Sequence, residues 1–198
     1  MPPHQAIQEP LPELTQRIGS FVLRMLGWRT VGETPEPKKF VAIIAPHTSN
    51  RDFLYFLCLC WSLGLRPNFI GKHTLFTWPL GIFMRWCGGI PVDRTQTKDF
   101  VQQIAEIFKA NERLVLGISP EGTRKEAAHW RSGFYYMALT GGVPILLAAV
   151  DYPNKEVHVG PTLEPSGDIE SDMKIIAEYY KPFQGKHPKR QSPVRLSK

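Results

Sequence analysis

A histidine and an aspartate stand five positions apart in the stretch APHTSNRDF, residues 45–53, which follows the apolar run KFVAIIA. A helix beginning near Asn50 would put Asp52 in its first turn, from where the carboxylate can reach back to one nitrogen of the His47 imidazole. Such a contact fixes the tautomer, stabilises the imidazolium and leaves the other nitrogen as a general base. The same residues admit a purely structural account. Asn50 or Ser49 would then cap the helix, Asp52 would answer its dipole and His47 would fill a turn. Both accounts stay open at this point.

A base needs a nucleophile. Gly117-Ile118-Ser119-Pro120-Glu121 follows a buried-looking strand and nearly spells the G-x-S-x-G elbow of esterases. Two residues argue against it. Glu121 stands where the close-packed second glycine belongs, and Pro120 has no N–H to offer an oxyanion hole. With Ser119 set aside, the attacking hydroxyl must belong to the substrate, and transfer onto it needs no acyl-enzyme. Lys72, Arg94 and Arg124 each sit beside glycine or a strand end, where they can meet an oxyanion such as a phosphate. No GxGxxG or GxxxxGK[ST] loop is present, so a nucleotide-phosphate loop is unsupported.

The elements that must position these groups alternate. FVAIIA, NFIG (68–71), IPV (90–92), RLVLGIS (113–119) and PILLAAV (144–150) read as strands, and EVHVG (156–160) as an edge strand. Helices are expected over 51–64, from Lys98 to Ala110, and around Ile169 to Tyr180. This pattern predicts an α/β fold with a mostly parallel central sheet flanked by helices. Three polar clusters, HTSNRD, DR and PEGTR, follow three apolar strands, at the sheet edge where open α/β folds gather their functional groups. An N-terminal amphipathic helix is expected from Leu11 to Trp28, with Leu14, Ile18, Phe21, Val22 and Met25 at helical spacing. It can pack on its own domain or dip into a membrane interface, and the two roles are compatible. The expected organisation is a helix and linker over 1–38, the α/β domain over 39–183 and a basic tail over 184–198.

The 198 residues carry a net charge of +6, and five basic residues after Gly185 account for all but one unit of it. That tail is expected to be solvated, so the charge does not by itself argue for nucleic acid. Cys58, Cys60 and Cys87 read as reduced, buried thiols, and a zinc site is not expected. No secretory signal is apparent. The longest apolar run, residues 53–65, falls short of the ~20 residues a spanning helix needs. Trp78 and Trp86, in a segment broken by proline and glycine, suit either an interface or the core.

The set of motifs resembles the glycerophospholipid acyltransferases, also called lysophosphatidic acid acyltransferases. His47-Thr-Ser-Asn-Arg-Asp52 matches their first motif, GGIPVDR with Arg94 the second, PEGTR (120–124) the third and GVPILLAAV with Pro144 the fourth. Lys72, in GKHTLFTWPLG, fits a lysine upstream of the second motif. The resemblance covers roughly residues 40 to 150 and implies a glycerol-3-phosphate acyltransferase-like fold. It implies transfer of a fatty acyl group from acyl-CoA or acyl carrier protein to a lysophospholipid hydroxyl, with phosphatidic acid the expected product. His47 would be the base and Asp52 its orienting partner. Lys72, Arg94 and Arg124 would hold anionic groups, and Glu121, Gly122 and Thr123 would form the acceptor site. No metal or other cofactor is implied. The expected setting is the cytoplasmic, inner face of a membrane, with the protein bound peripherally. Other readings are the same reaction on another lyso-lipid or amphiphilic alcohol, a serine hydrolase using Ser119, and an anionic-lipid or nucleic-acid binder using the tail.

Overall fold

The computed structural model describes residues 11–72, 76–78, 80–92 and 97–197. Seven strands form one sheet: β1 (Arg29–Val31), β2 (Lys39–Ala45), β3 (Pro67–Lys72), β4 (Gly89–Val92), β5 (Leu114–Ile118), β6 (Ile145–Asp151) and β7 (Glu156–Leu163). Their spatial order is β1-β7-β6-β2-β5-β3-β4. The β6, β2, β5, β3 and β4 strands run parallel, β7 is antiparallel to β6, and β1 pairs parallel with β7. The mostly parallel sheet expected from the apolar runs is therefore present.

Helices cover both faces. They are α1 (Glu13–Met25), α2 (Arg51–Ser62), α3 (Leu80–Trp86), α4 (Thr97–Ala110), α5 (Gly133–Gly141) and α6 (Ile169–Tyr180). The pleat of β2 explains why its sequence shows no alternation. Val41, Ile43 and Ala45 pack with Phe108, Phe134, Tyr135 and Ile176 of α4, α5 and α6. Phe40, Ala42 and Ile44 pack with Leu23 of α1 and with Tyr55, Phe56 and Leu59 of α2. Successive side chains enter opposite layers, both of them dry, so every position must be apolar.

Four features differ from the sequence reading or add to it. EVHVG is not an edge strand, because β1 pairs outside it; at three residues, β1 has too little pattern to be read. Helix α5 had no counterpart in the reading, because GFYYMALTG is apolar nearly all round and shows no polar face. The apolar stripe of α1 faces outward: Leu14, Ile18, Phe21 and Met25 are 44–70% exposed, while Gly19 and Leu23 face α2. Finally, the chain after α6 is not a solvated tail. Trp130 N–H donates to Arg195 C=O at 2.7 Å, and Trp130 bridges to Leu196. The three cysteines are free and buried, as expected, and burial pushes the Cys60 thiol up.

Candidate active site

Strand β2 lies at the centre of the sheet, between β5 and β6, where the connections diverge to the two sides. Its carboxyl end is thus the place where a doubly wound sheet opens a crevice. Ala45 ends the strand, a cis Ala45–Pro46 bond turns the chain, and His47 follows. The loops after β5 and β6, which begin at Ser119 and Tyr152, emerge on either side of it.

Asp52 is 1% exposed, in the first turn of α2, and both of its oxygens are engaged. Its Oδ2 accepts the backbone N–H groups of Thr48 and Ser49, both at 2.8 Å, and lies 3.2 Å from His47 Nδ1. Its Oδ1 accepts the Tyr152 hydroxyl at 2.6 Å. The helix N-terminus makes no side-chain cap bond at Asn50; Ser49 Oγ instead accepts the Arg51 N–H at 3.2 Å. The contacts that both accounts of this segment require are present together. The carboxylate closes the turn through its amides, and the closed turn aims the imidazole. With Nδ1 on Asp52 and the ring one-fifth exposed, Nε2 is the nitrogen open to a substrate.

Tyr152 was not foreseen. It stands directly after β6, and only the adjacency of β6 and β2 brings its hydroxyl to Asp52. Burial, then the hydrogen bond to Asp52, raises the Tyr152 hydroxyl far above its ordinary range, so it remains a donor.

The PEGTR loop answers from the other side. Gly122 N–H donates to Ser119 C=O at 3.1 Å, closing a turn with Pro120 at its second position. Gly122 has φ +66°, and a Cβ there would lie 2.9 Å from Arg131 Nε, so the position needs glycine. Glu121 is 2% exposed: its Oε1 accepts His47 N–H at 2.7 Å and its Oε2 accepts the Ser192 hydroxyl at 3.2 Å. Glu121 thus belongs to the site by fixing the backbone of His47 rather than by facing solvent. Ser119 Oγ is buried and has no hydrogen-bond partner among the described residues, the imidazole included. Gly122 and Arg124 are exposed at the mouth and Thr123 is half-buried. Lys72 is described by its backbone alone, at the end of β3 on the same sheet edge. Arg94 lies outside the described residues.

Burial pushes the Glu121 carboxyl up to about 7, against the lowering pull of the His47 amide, the His47 ring and the Ser192 hydroxyl. The native state then holds a proton that the unfolded chain releases above about 4.5, its ordinary value. This contribution is fully present below that value and is lost as pH rises through 7. Its upper bound is about 3 kcal/mol, at ~1.36 kcal/mol per pKa unit. Glu121→Gln keeps an acceptor for His47 N–H and removes the titration. Melting curves between pH 5 and 8 should therefore show the variant gaining several degrees relative to wild type as pH rises. Parallel curves would mean that Glu121 is ionised throughout.

Asp151, Glu156 and His158 each bring one ligand atom within 4.8 Å of the others. Glu156 already accepts from Arg29 and contacts His158 Nε2, and Asp151 accepts from Asn154 at 2.6 Å. Protein donors satisfy these carboxylates, and we assign them no part in the reaction.

A family model described as Acyltransferase matches residues 29–150. The chain belongs to the acyltransferase family. The family resemblance read from the motifs is thereby shown, and with it the assignment of the chain as an enzyme. Among solved structures, the crystal structure of the 1-acyl-sn-glycerophosphate (LPA) acyltransferase PlsC from Thermotoga maritima is similar, with a TM-score of 0.59 and 18% identity. The likeness covers 85% of this chain and 76% of that one, and it carries the fold: a mostly parallel sheet between helical layers. No curated protein sequence matches the chain. The matched span of this acyltransferase contains His47, Asp52 and the PEGTR loop but ends before Tyr152 and Ser192. Two of the side chains that hold the pair in place therefore come from beyond it.

Proposed function

We propose that the protein transfers a fatty acyl group from acyl-CoA or acyl carrier protein to the hydroxyl of lysophosphatidic acid, giving phosphatidic acid. The observation that carries this reading is the buried Asp52, oriented by Thr48, Ser49 and Tyr152, on Nδ1 of a part-exposed His47. His47 Nε2 takes the proton of the acceptor hydroxyl, whose oxygen attacks the thioester carbonyl. The C–O bond forms, the C–S bond breaks, and the thiolate leaves and recovers the proton. Asp52 stabilises the imidazolium between these two events. The isolated Ser119 Oγ favours direct transfer over an acyl-enzyme. Lys72, Arg94 and Arg124 are assigned to the phosphate of the acceptor or the anionic groups of the donor.

The acceptor is a lipid, and the exposed apolar surface of the helical layer favours a peripheral stance on the inner face of a membrane. No helix among the described residues is long and apolar enough to cross a membrane. Trp78, Ile82 and Trp86 are 66–84% exposed, and Leu14, Phe21 and Met25 on the outer stripe of α1 are 62–70% exposed. Trp61 of α2 meets Trp86 edge to face at 5.9 Å, which joins the helical layer to the tryptophan segment. Indole rings and apolar side chains in such a layer suit the headgroup boundary.

The test is thiol release from a long-chain acyl-CoA, with lysophosphatidic acid supplied in phospholipid vesicles. Acceptor-dependent release with formation of phosphatidic acid is expected. Release without acceptor would make the protein a thioesterase and overturn the reading. An acyl carrier protein arm decides the donor.

A further inference from the structure

The segment that follows α6 is seated on the loop that carries His47. Gln184 N–H donates to Asp151 Oδ1 at 3.4 Å, and His187 N–H donates to Thr48 Oγ1 at 3.1 Å. Gln191 folds back, its Oε1 accepting Gly185 N–H at 3.2 Å and its Nε2 donating to Phe183 C=O at 3.0 Å. Ser192 then reaches Glu121. Gly185 is buried in this contact. A Cβ there would lie 2.7 Å from Thr48 Oγ1 and 3.2 Å from Pro46 Cβ, so the approach is open only to a residue without one.

This seating builds a cavity. An open space of about 310 Å³ adjoins the loop one residue past His47, lined by Thr48, Ser49, Arg51, Arg124, His187 and Arg190. Three arginines and a histidine thus line it from three segments: the start of α2, the PEGTR loop, and His187 with the turn Pro188–Arg190 that follows it. None of the three arginines pairs with a carboxylate among the described residues. The nearby carboxylates of Asp52 and Glu121 are buried and occupied by their own donors. Arginines gathered around one open space suit a phosphate, which their planar forks can hold by paired hydrogen bonds, and the polar walls are unsuited to an acyl chain.

We propose that this cavity is a phosphate site completed by the C-terminal segment, with Arg51, His187 and Arg190 joining Arg124 in holding a phosphate group of a substrate. The proposal rests on the acyl-transfer reading above and goes beyond the motif residues, since His187 and Arg190 lie outside the family match. A phosphate can come from the acceptor headgroup or from the donor, whose coenzyme carries phosphates of its own, and the experiment separates the two.

Binding of glycerol 3-phosphate and of coenzyme A is measured by titration calorimetry on the wild type, Arg190→Gln and Arg51→Gln. Lys189→Gln serves as a control for lost charge in the same turn outside the cavity. Circular dichroism checks folding. Each arginine variant is expected to weaken one of the two ligands roughly tenfold, as loss of one charge-assisted contact does. The KM of the matching substrate should rise in step, and the control should bind as wild type. The ligand that weakens identifies the source of the phosphate. Wild-type binding of both ligands in both arginine variants overturns the site, as does failure of both ligands to bind the wild type. Arginine-dependent binding without acyl transfer would sink the acyl-transfer reading and leave the phosphate site standing. Acyl transfer without arginine dependence would do the reverse.

Discussion

His47→Ala leaves a folded protein whose acyl transfer has fallen by roughly 10³-fold or more, within the range that a positioned general base contributes. The fold should survive because the imidazole's one polar partner among the described residues is Asp52, while the residue's main structural bond uses its backbone, N–H to Glu121 at 2.7 Å. Alanine keeps that donor. Asp52 keeps Thr48, Ser49 and Tyr152 as partners, so no buried charge is stranded. Thiol release from acyl-CoA with lysophosphatidic acid measures the loss, and circular dichroism with a melting curve verifies the fold. Ser119→Ala in the same assay should behave as wild type. A folded His47→Ala enzyme at full activity would remove the proposed base. An inactive Ser119→Ala enzyme would restore the serine hydrolase.

Asp52 should show a sharper division between charge and structure. Asp52→Ala leaves two backbone N–H groups and the Tyr152 hydroxyl without an acceptor in a site that is 1% exposed. At about 1–3 kcal/mol for each buried donor left unpaired, the loss approaches the whole stability of an ordinary domain. The alanine variant is therefore expected to be poorly folded. Asp52→Asn can keep its oxygen toward Thr48, Ser49 and the imidazole and turn its amide toward the Tyr152 oxygen, so the geometry persists while the charge is gone. It should fold, cost about 1–2 kcal/mol, and lower kcat by about 10³-fold, because nothing stabilises the imidazolium. Tyr152→Phe removes one bond to a charged acceptor, worth about 1.5–3 kcal/mol, and leaves the charge in place. Its effect on kcat should be much the smaller of the two. Urea midpoints and kcat for the three variants together check the order. If Asp52→Asn were as active as wild type, the aspartate would be a helix-closing residue and nothing more.

Much of this site was written locally. His47 and Asp52 are linked through a single turn, and the PEGTR turn closes through Ser119 and Gly122, so both could be read from neighbours a few residues apart. The central strands were legible because a strand buried on both faces must be apolar at every position, as Phe40 to Ala45 are. Where a segment carried no contrast, the reading failed. Helix α5 has no polar face, and β1 is three residues long. The stripe on α1 was legible as amphipathic but not as outward-facing, because periodicity shows that a helix has two faces and not which one meets the core.

The remaining contacts join residues 74, 100 and 139 positions apart: His47 with Glu121, Asp52 with Tyr152, and Thr48 with His187. No local pattern encodes such pairs. They follow from strand order, which sets β5 and β6 on either side of β2, and from the return of the chain after α6 across the same edge. The pairing of His47 with Asp52 was therefore fixed by short-range spacing. The depth of their burial, the tyrosine and glutamate that hold them, and the use of a basic tail as a wall of the site came only with the packing. Long-range contacts depend on which strands neighbour one another, and that is settled by the whole core at once.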